Sequence, residues 1–253
     1  MNRPRLEACY FGDSAQWERM ATVLRMTAET QCPEWKVSVR RILPEPRTSA
    51  LGLAPSVANT QKLDEWCRII GTAANGDRIL LIDADTAILR PLDDVWEREF
   101  DLAYTTRRRA RTPFNGGVLF VRVSPVVRRF FVEWAAENNK MLADGEYHRQ
   151  YRLKYFGLNQ AAFGKLLEDG RLDDLQLLEL PCVEWNCEDT SWKRFDASRT
   201  RILHIKDGIT TVDGNLRKAI FGGQCGHIVP THVQELAFIW KQLESYAQRR
   251  RSA

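Results

Sequence analysis

The sequence lacks any apolar run of the about 18 residues that a membrane-spanning helix needs, so no bilayer crossing is expected. It also lacks a strong charge excess. Lys and Arg number 37 against 33 Asp and Glu, a net +4, too mild for the one-sided basic stripe of a nucleic-acid binder. No Cys-x-x-Cys pair occurs. Cys9, Cys32, Cys67, Cys182, Cys187 and Cys225 are scattered over 253 residues and read as reduced core thiols, not a disulfide framework. Cys182 and Cys187 have no second pair to complete a zinc site. The basic start, Met1-Asn2-Arg3-Pro4-Arg5, is not followed by an apolar leader, so no secretory signal is expected. The expected location is cytoplasmic, free or peripheral at a membrane surface. No internal repeat, low-complexity linker or composition break is present, which points to one domain over 1–253.

What is present is an alternation of strand and helix patterns. Leu6 to Phe11 is a short apolar strand, and Asp13 or Ser14 caps a helix reaching about Thr30. Trp35 to Leu43 alternates as a second strand, and a loop runs from Pro44 to Pro55. Asn59 to Ala73 is helical, and Arg78 to Ile82 is a continuous apolar run, the mark of a central strand buried on both faces. Leu102–Thr105 and Gly116–Val123 are further strands. Ser124-Pro125 opens a helix, since Pro suits a helix's first position. The polar, aromatic stretch Asn138 to Tyr155 is expected to be loop with irregular helix. Asn159–Leu167 reads as helix, Leu175–Leu180 and Thr200–Ile205 as strands, and 229–249 as a closing amphipathic helix before a frayed basic tail, Gln248–Arg251. The class is α/β, with a mixed, mostly parallel central sheet flanked by helices.

Chemistry gathers at three places. The buried strand runs out into Asp83-Ala84-Asp85, two carboxylates two residues apart, which strand alternation puts on one side. Ligands of open α/β sheets bind beyond strand carboxyl ends, and two carboxylates there call for a divalent cation, Mg²⁺ or Mn²⁺ by ligand type. Asn115-Gly116-Gly117 precedes an apolar strand, where glycines admit close approach of backbone to ligand and Asn115 is able to bond sugar hydroxyls. His204, followed by Lys206, offers an imidazole ligand and a cation for phosphate; a satisfied structural histidine is the plainer alternative. Two loops are less specific. Arg107, Arg108, Arg109 and Arg111 suit either an anion or a solvated loop, and Glu184, Trp185, Asn186, Glu188 and Asp189 suit an acceptor wall.

Taken together, these motifs resemble the nucleotide-sugar glycosyltransferases of the type-A fold (GT-A), and among them glycosyltransferase family 8, the glycogenin and bacterial galactosyltransferase type. Leu81-Ile82-Asp83-Ala84-Asp85-Thr86 through Pro91-Leu92, with Trp96, is similar to that family's metal-binding segment. Phe114 to Leu119 resembles its donor-sugar loop, Gly157-Leu158-Asn159-Gln160 its Asp-Gln segment, and Leu180-Pro181 with Trp185-Asn186 its Leu-Pro…Asn segment. Two positions depart. Asn159 puts a neutral amide where the family has Asp, and His204-Ile205-Lys206-Asp207-Gly208 only approximates the family's C-terminal motif. The resemblance implies a Rossmann-like GT-A domain with a nucleotide-binding half in 1–75 and the metal, donor-sugar and acceptor region in 76–210. It implies a nucleoside-diphosphate sugar donor, UDP-linked, and an acceptor that is a glycan, protein, lipid-linked or nucleic-acid-linked group. Asp83, Asp85 and His204 would hold Mn²⁺ or Mg²⁺. Asp83, Lys62, Asn115, Gly116, Gly117 and Lys206 would contact the donor. Gln160 and Asn159 would sit at the reacting sugar.

Two other readings compete. In a haloacid-dehalogenase-like phosphatase Asp83 is a nucleophile and Asp85 an acid/base, but that motif belongs on a first strand, and Asp173-Asp174 lacks the apolar strand it would need. A non-catalytic nucleotide-sugar-binding module has no need to hold two repelling carboxylates.

Overall fold

The computed structural model describes residues 2–11, 15–43, 54–108, 111–170, 174–205 and 231–251. Its strands are β1 (Arg5–Phe11), β2 (Lys36–Ile42), β3 (Arg78–Asp83), β4 (Thr86–Ile88), β5 (Leu102–Thr106), β6 (Phe114–Arg122), β7 (Leu177–Pro181) and β8 (Ile202–His204). Its helices are α1 (Ala15–Gln31), α2 (Ala54–Thr72), α3 (Pro125–Ala143), α4 (Gly145–Tyr155), α5 (Leu158–Glu168), the single turn α6 (Cys182–Trp185) and α7 (Thr231–Arg251). The main sheet runs β2-β1-β3-β6-β5-β7. β1 is parallel to β2 and β3, β6 is antiparallel to β3 and β5, and β7 is parallel to β5. The sheet is thus mixed, as the pattern of apolar runs predicts.

β3 is central because its residues Ile79 to Ile82 have no polar side to offer, and all four are fully buried. Ile79 and Leu81 face a core with Leu63, Trp66, Phe130, Trp134 and Phe163 from α2, α3 and α5. Leu80 and Ile82 face the opposite core, with Leu24 and Ala28 of α1 and Trp96 and Trp185. Truncating such a residue to Ala costs roughly 2–5 kcal/mol. α7 closes the far side of α1, where Leu236 and Trp240 pack against Met20 and Val23.

Ser124 caps α3 as expected, its Oγ accepting the Val127 N–H at 3.3 Å with Pro125 in the first turn. Asn138 to Tyr155, expected as loop with irregular helix, is instead regular helix on either side of Asp144. α3 runs on to Ala143, with Asn138 buried and donating to Thr60 Oγ1 at 2.9 Å. Asp144 then caps α4, accepting the Glu146 and Tyr147 N–H groups at 3.0 and 3.1 Å. The apolar stripe of α4 is Tyr147, Tyr151 and Tyr155, packed on or buried in the core, so aromatic hydroxyls disguise its helical period. The basic end Gln248–Arg251 is the last turn of α7, not a frayed tail. The candidate cap at Asp13 or Ser14, the loop over 44–53, Asp173, Lys206, Arg109 and Cys225 lie outside the described residues. Cys9, Cys32, Cys67, Cys182 and Cys187 are all thiols.

Candidate active site

β3 ends at Asp83, and Ala84-Asp85 form a turn into β4, so the carboxylates are not brought together by strand alternation. The turn is held by Thr86 Oγ1 donating to the Asp83 carbonyl at 2.7 Å. A second small sheet then does the positioning. β8 pairs antiparallel with β4, setting His204 opposite Thr86, and the Ile205 N–H donates to the Asp85 carbonyl at 3.0 Å. His204 Nε2 lies 3.2 Å from Asp85 Oδ1 and 3.9 Å from Asp83 Oδ2. One ligand atom from each of the three lies within 4.8 Å of the others.

The direction of the imidazole is fixed by a chain of hydrogen bonds. The Gly117 N–H can only donate, so the Asn115 atom it meets at 2.8 Å is the amide oxygen, Oδ1. That oxygen accepts from Asn186 at 3.0 Å, so the Asn186 group facing it is the amide nitrogen, which also donates to Thr105 Oγ1 at 2.9 Å. The remaining Asn186 atom, Oδ1, faces His204 Nδ1 at 2.9 Å and must accept. His204 Nδ1 therefore carries a proton, and Nε2 is turned toward both carboxylates. Only a proton or a metal cation satisfies a lone pair and two carboxylates that converge in this way. Two carboxylate oxygens and an imidazole nitrogen, oriented by an outer amide, form a donor set that fits Mn²⁺ or Mg²⁺.

β6 supplies the floor. Asn115, Gly116 and Gly117 lie within this strand, not in a turn before it. A Cβ on Gly117 would meet Asp83 Oδ2 at 2.6 Å and His204 Cε1 at 2.8 Å, so the side chains of Asp83 and His204 close over the strand only where no side chain stands. The close approach at Gly117 is thus to site residues. Gly116 has ordinary room at its Cβ position, 3.5 Å from Gln160 Cγ.

Lys62 of α2 is buried, and its ammonium bonds Asp83 Oδ1 at 2.6 Å and stands 4.8 Å from the Trp66 ring centre. Burial lowers the Lys62 pKa, but the Asp83 carboxylate outweighs it and the net shift is upward. Burial likewise pushes the Asp85 carboxyl up. With Nε2 protonated, the charge and hydrogen bond of His204 overcome that and hold it below its ordinary value. Gln160 Oε1 accepts the Gly116 N–H at 2.9 Å, while its Nε2 donates to the carbonyls of Tyr155 and Phe156 at 2.9 and 2.8 Å. Asn159 Oδ1 accepts the Gln160 N–H at 2.9 Å.

These residues line one cleft of about 730 Å³, in the size range of small-ligand sites, which is ~300–1,000 Å³. Lys62, Asp83, Asp85, Asn115, Gln160 and His204 are all on its wall.

The two less specific loops divide residue by residue. Arg107 lines the cleft but is not solvated. Its side chain is 6% exposed and paired at 3.1 Å with Glu188, which is 0% exposed, and its Nη1 donates to the Thr112 and Phe114 carbonyls. Arg111 Nε donates to the Leu153 carbonyl, and Arg108 is exposed. Of the expected acceptor wall, only Asp189 lines the cleft. Trp185 is core, against Phe120 at 5.6 Å, and Glu184 binds Arg201. Asn186 is the functional residue whose role local sequence reading missed. The signal available for it is its place after Leu-Pro, beside the Cys187 backbone that pairs with Leu203 of β8.

This architecture is the type-A glycosyltransferase fold, with an Asp-Asp-His cluster at the carboxyl end of its central strand. Among solved structures, the chain is similar to the galactosyltransferase LgtC in complex with donor and acceptor sugar analogues, at 12% identity and a TM-score of 0.56, covering 96% of this chain and 95% of that one. A glycosyltransferase involved in glycosylation of the major capsid of PBCV-1 matches with 9% identity and TM-score 0.52, over 80% of this chain and 93% of that one. GlyE of Streptococcus pneumoniae matches with 14% identity and TM-score 0.52, over 96% of this chain and 64% of that one. At these identities the likeness is one of fold. No protein-family model and no curated protein sequence matches the chain.

Proposed function

We propose that this chain is a metal-dependent glycosyltransferase that moves a sugar from a nucleoside-diphosphate sugar, UDP-linked, to an acceptor. The observation that carries the reading is Nε2 of His204 held against Asp85 and Asp83 by Asn186. Asp83, Asp85 and His204 would hold Mn²⁺ or Mg²⁺. Bound there, the ion supplies Lewis-acid charge that stabilises the departing diphosphate. Lys62 contributes its buried ammonium at the same corner as a donor contact, and Lys206, two residues past His204, adds positive charge toward the phosphates.

The donor sugar rests on Asn115, Gly116 and Gly117. Gln160 and Asn159 stand at the reacting carbon. The Gly116 N–H fixes the direction of Gln160 Oε1 and leaves that oxygen a second lone pair for the positive charge that develops as the anomeric bond breaks. The structural likeness to glycosyltransferases supports the reaction class. No helix among the described residues is long and apolar enough to cross a membrane. The phosphatase alternative needs its acidic motif on a first strand, and here the motif ends the third.

A thermal-shift panel of nucleotide sugars with and without Mn²⁺ tests the reading. A ligand at a hundredfold excess over its Kd stabilises by ~2.7 kcal/mol. A UDP response that requires metal is expected. A response to vanadate alone, with none to UDP, favours the phosphatase.

A further inference from the structure

Beyond Gln160, on the side away from the glycines, the cleft wall is built under strain. Only two non-glycine residues among those described have positive φ, Thr112 at 55° and Phe156 at 56°. Both line this cleft. They are also neighbours through α4, because the Thr112 N–H donates to the Lys154 carbonyl at 2.6 Å. Phe156 follows the last turn of α4, its N–H donating to the Arg152 carbonyl at 3.0 Å, and Gly157 after it has φ 90°. Tyr155 before it and Leu158 after the glycine are buried, whereas Phe156 is 58% exposed. A phenylalanine that keeps a costly backbone conformation in order to stand in solvent gains nothing for folding. Such strain persists where surrounding bonds enforce it and a ligand uses it.

The enforcing bond here is Gln160. One amide ties the Phe156 carbonyl to the Gly116 N–H, so the corner bearing Phe156 is fixed to the strand that floors the metal site. Arg152, Thr112, Thr190 and Asp189 line the same cleft and offer it hydrogen-bonding and charged groups. An exposed aromatic face in a cleft that also offers hydrogen-bonding and charged groups matches a sugar ring, whose C–H face stacks while its hydroxyls bond the rim. A lipid tail would need a continuous apolar wall.

Resting on the transferase reading, we propose that Phe156 is the stacking platform of an acceptor subsite and that the acceptor is a carbohydrate. Gln160 is then a positioning residue as well, holding platform and donor floor in register.

The test is an array of immobilised glycans probed with the full chain in the presence of UDP and Mn²⁺, beside calorimetry of UDP with Mn²⁺. Phe156→Gly removes the ring and suits the positive φ, so folding is not at risk; Phe156→Tyr keeps the aromatic face. Wild type is expected to retain a subset of glycans, Phe156→Gly to lose about tenfold in affinity for them, and Phe156→Tyr to keep them, with UDP·Mn²⁺ binding equal in all three. Glycan retention unchanged in Phe156→Gly overturns the proposal. So does UDP·Mn²⁺ binding with no glycan retained, or retention on a parallel array of lipids or peptides alone. Failure of wild type to bind UDP·Mn²⁺ is a different result; it removes the transferase reading and the subsite with it.

Discussion

Asn186 Oδ1 accepts the Nδ1 proton of His204 at 2.9 Å, and the backbone N–H of Gly117 fixes that direction two hydrogen bonds away. A local fact about one strand amide thus decides which imidazole nitrogen faces the carboxylates. Such outer partners typically carry about 10–100-fold in metal affinity. Asn186→Ala should weaken Mn²⁺ binding by roughly that factor. Calorimetric titration of Mn²⁺ into wild type and variant measures it. An unchanged affinity in the variant contradicts the assignment.

Gly117 and Gly116 are adjacent and should respond oppositely to alanine. A Cβ at 117 is driven 2.6 Å from Asp83 Oδ2, whereas one at 116 finds ordinary contact at 3.5 Å. Gly117→Ala should abolish Mn²⁺ binding by calorimetry, and Gly116→Ala should keep it. Equal loss in both would mean that crowding of the metal site is not the cause.

Arg107 and Glu188 form an ion pair with side chains 6% and 0% exposed. Removing one partner strands a buried charge, which costs ~3–5 kcal/mol. Arg107→Met is therefore expected to lower the denaturation midpoint sharply, and Arg107→Met with Glu188→Leu to recover much of the loss. A solvated arginine would give no change in either variant.

Glu65 bonds Arg68 and, through it and Arg40, sits below its ordinary pKa despite the opposing effect of burial. A carboxylate depressed in the folded state contributes stability that is complete above its unfolded pKa, near ~4.3, and is lost as pH falls through the folded value. Glu65→Gln should thus be less stable than wild type at pH 7, and the two melting curves should converge as the buffer is taken below about pH 4. A constant gap across that range would show that the ion pairs are not its source.

Much of this was legible in the chain itself. The run Ile79 to Ile82 identifies the central strand because an apolar stretch of that length has to be buried on both faces, and the carboxylates at its end follow. Ser124-Pro125 announces α3 through local chemistry alone. His204 was legible as a partner of Asp85 through the family resemblance, not from any local pattern. Its approach depends on β4 and β8, three residues each, whose pairing is long-range and leaves no local pattern. The same holds for Arg107 and Glu188, which look solvated in sequence and are buried together. α4 escaped for a different reason, since the stripe it packs on the core is made of tyrosines among charged residues.

The central claim is that Asp85 and His204 jointly hold a cation that donor binding requires. Titration calorimetry of UDP, with and without Mn²⁺, into wild type, Asp85→Asn and His204→Ala tests it most directly. The account predicts binding to wild type only when Mn²⁺ is present, and none to either variant, with all three folded as judged by circular dichroism. UDP binding that ignores Mn²⁺, or that survives in both variants, would contradict it.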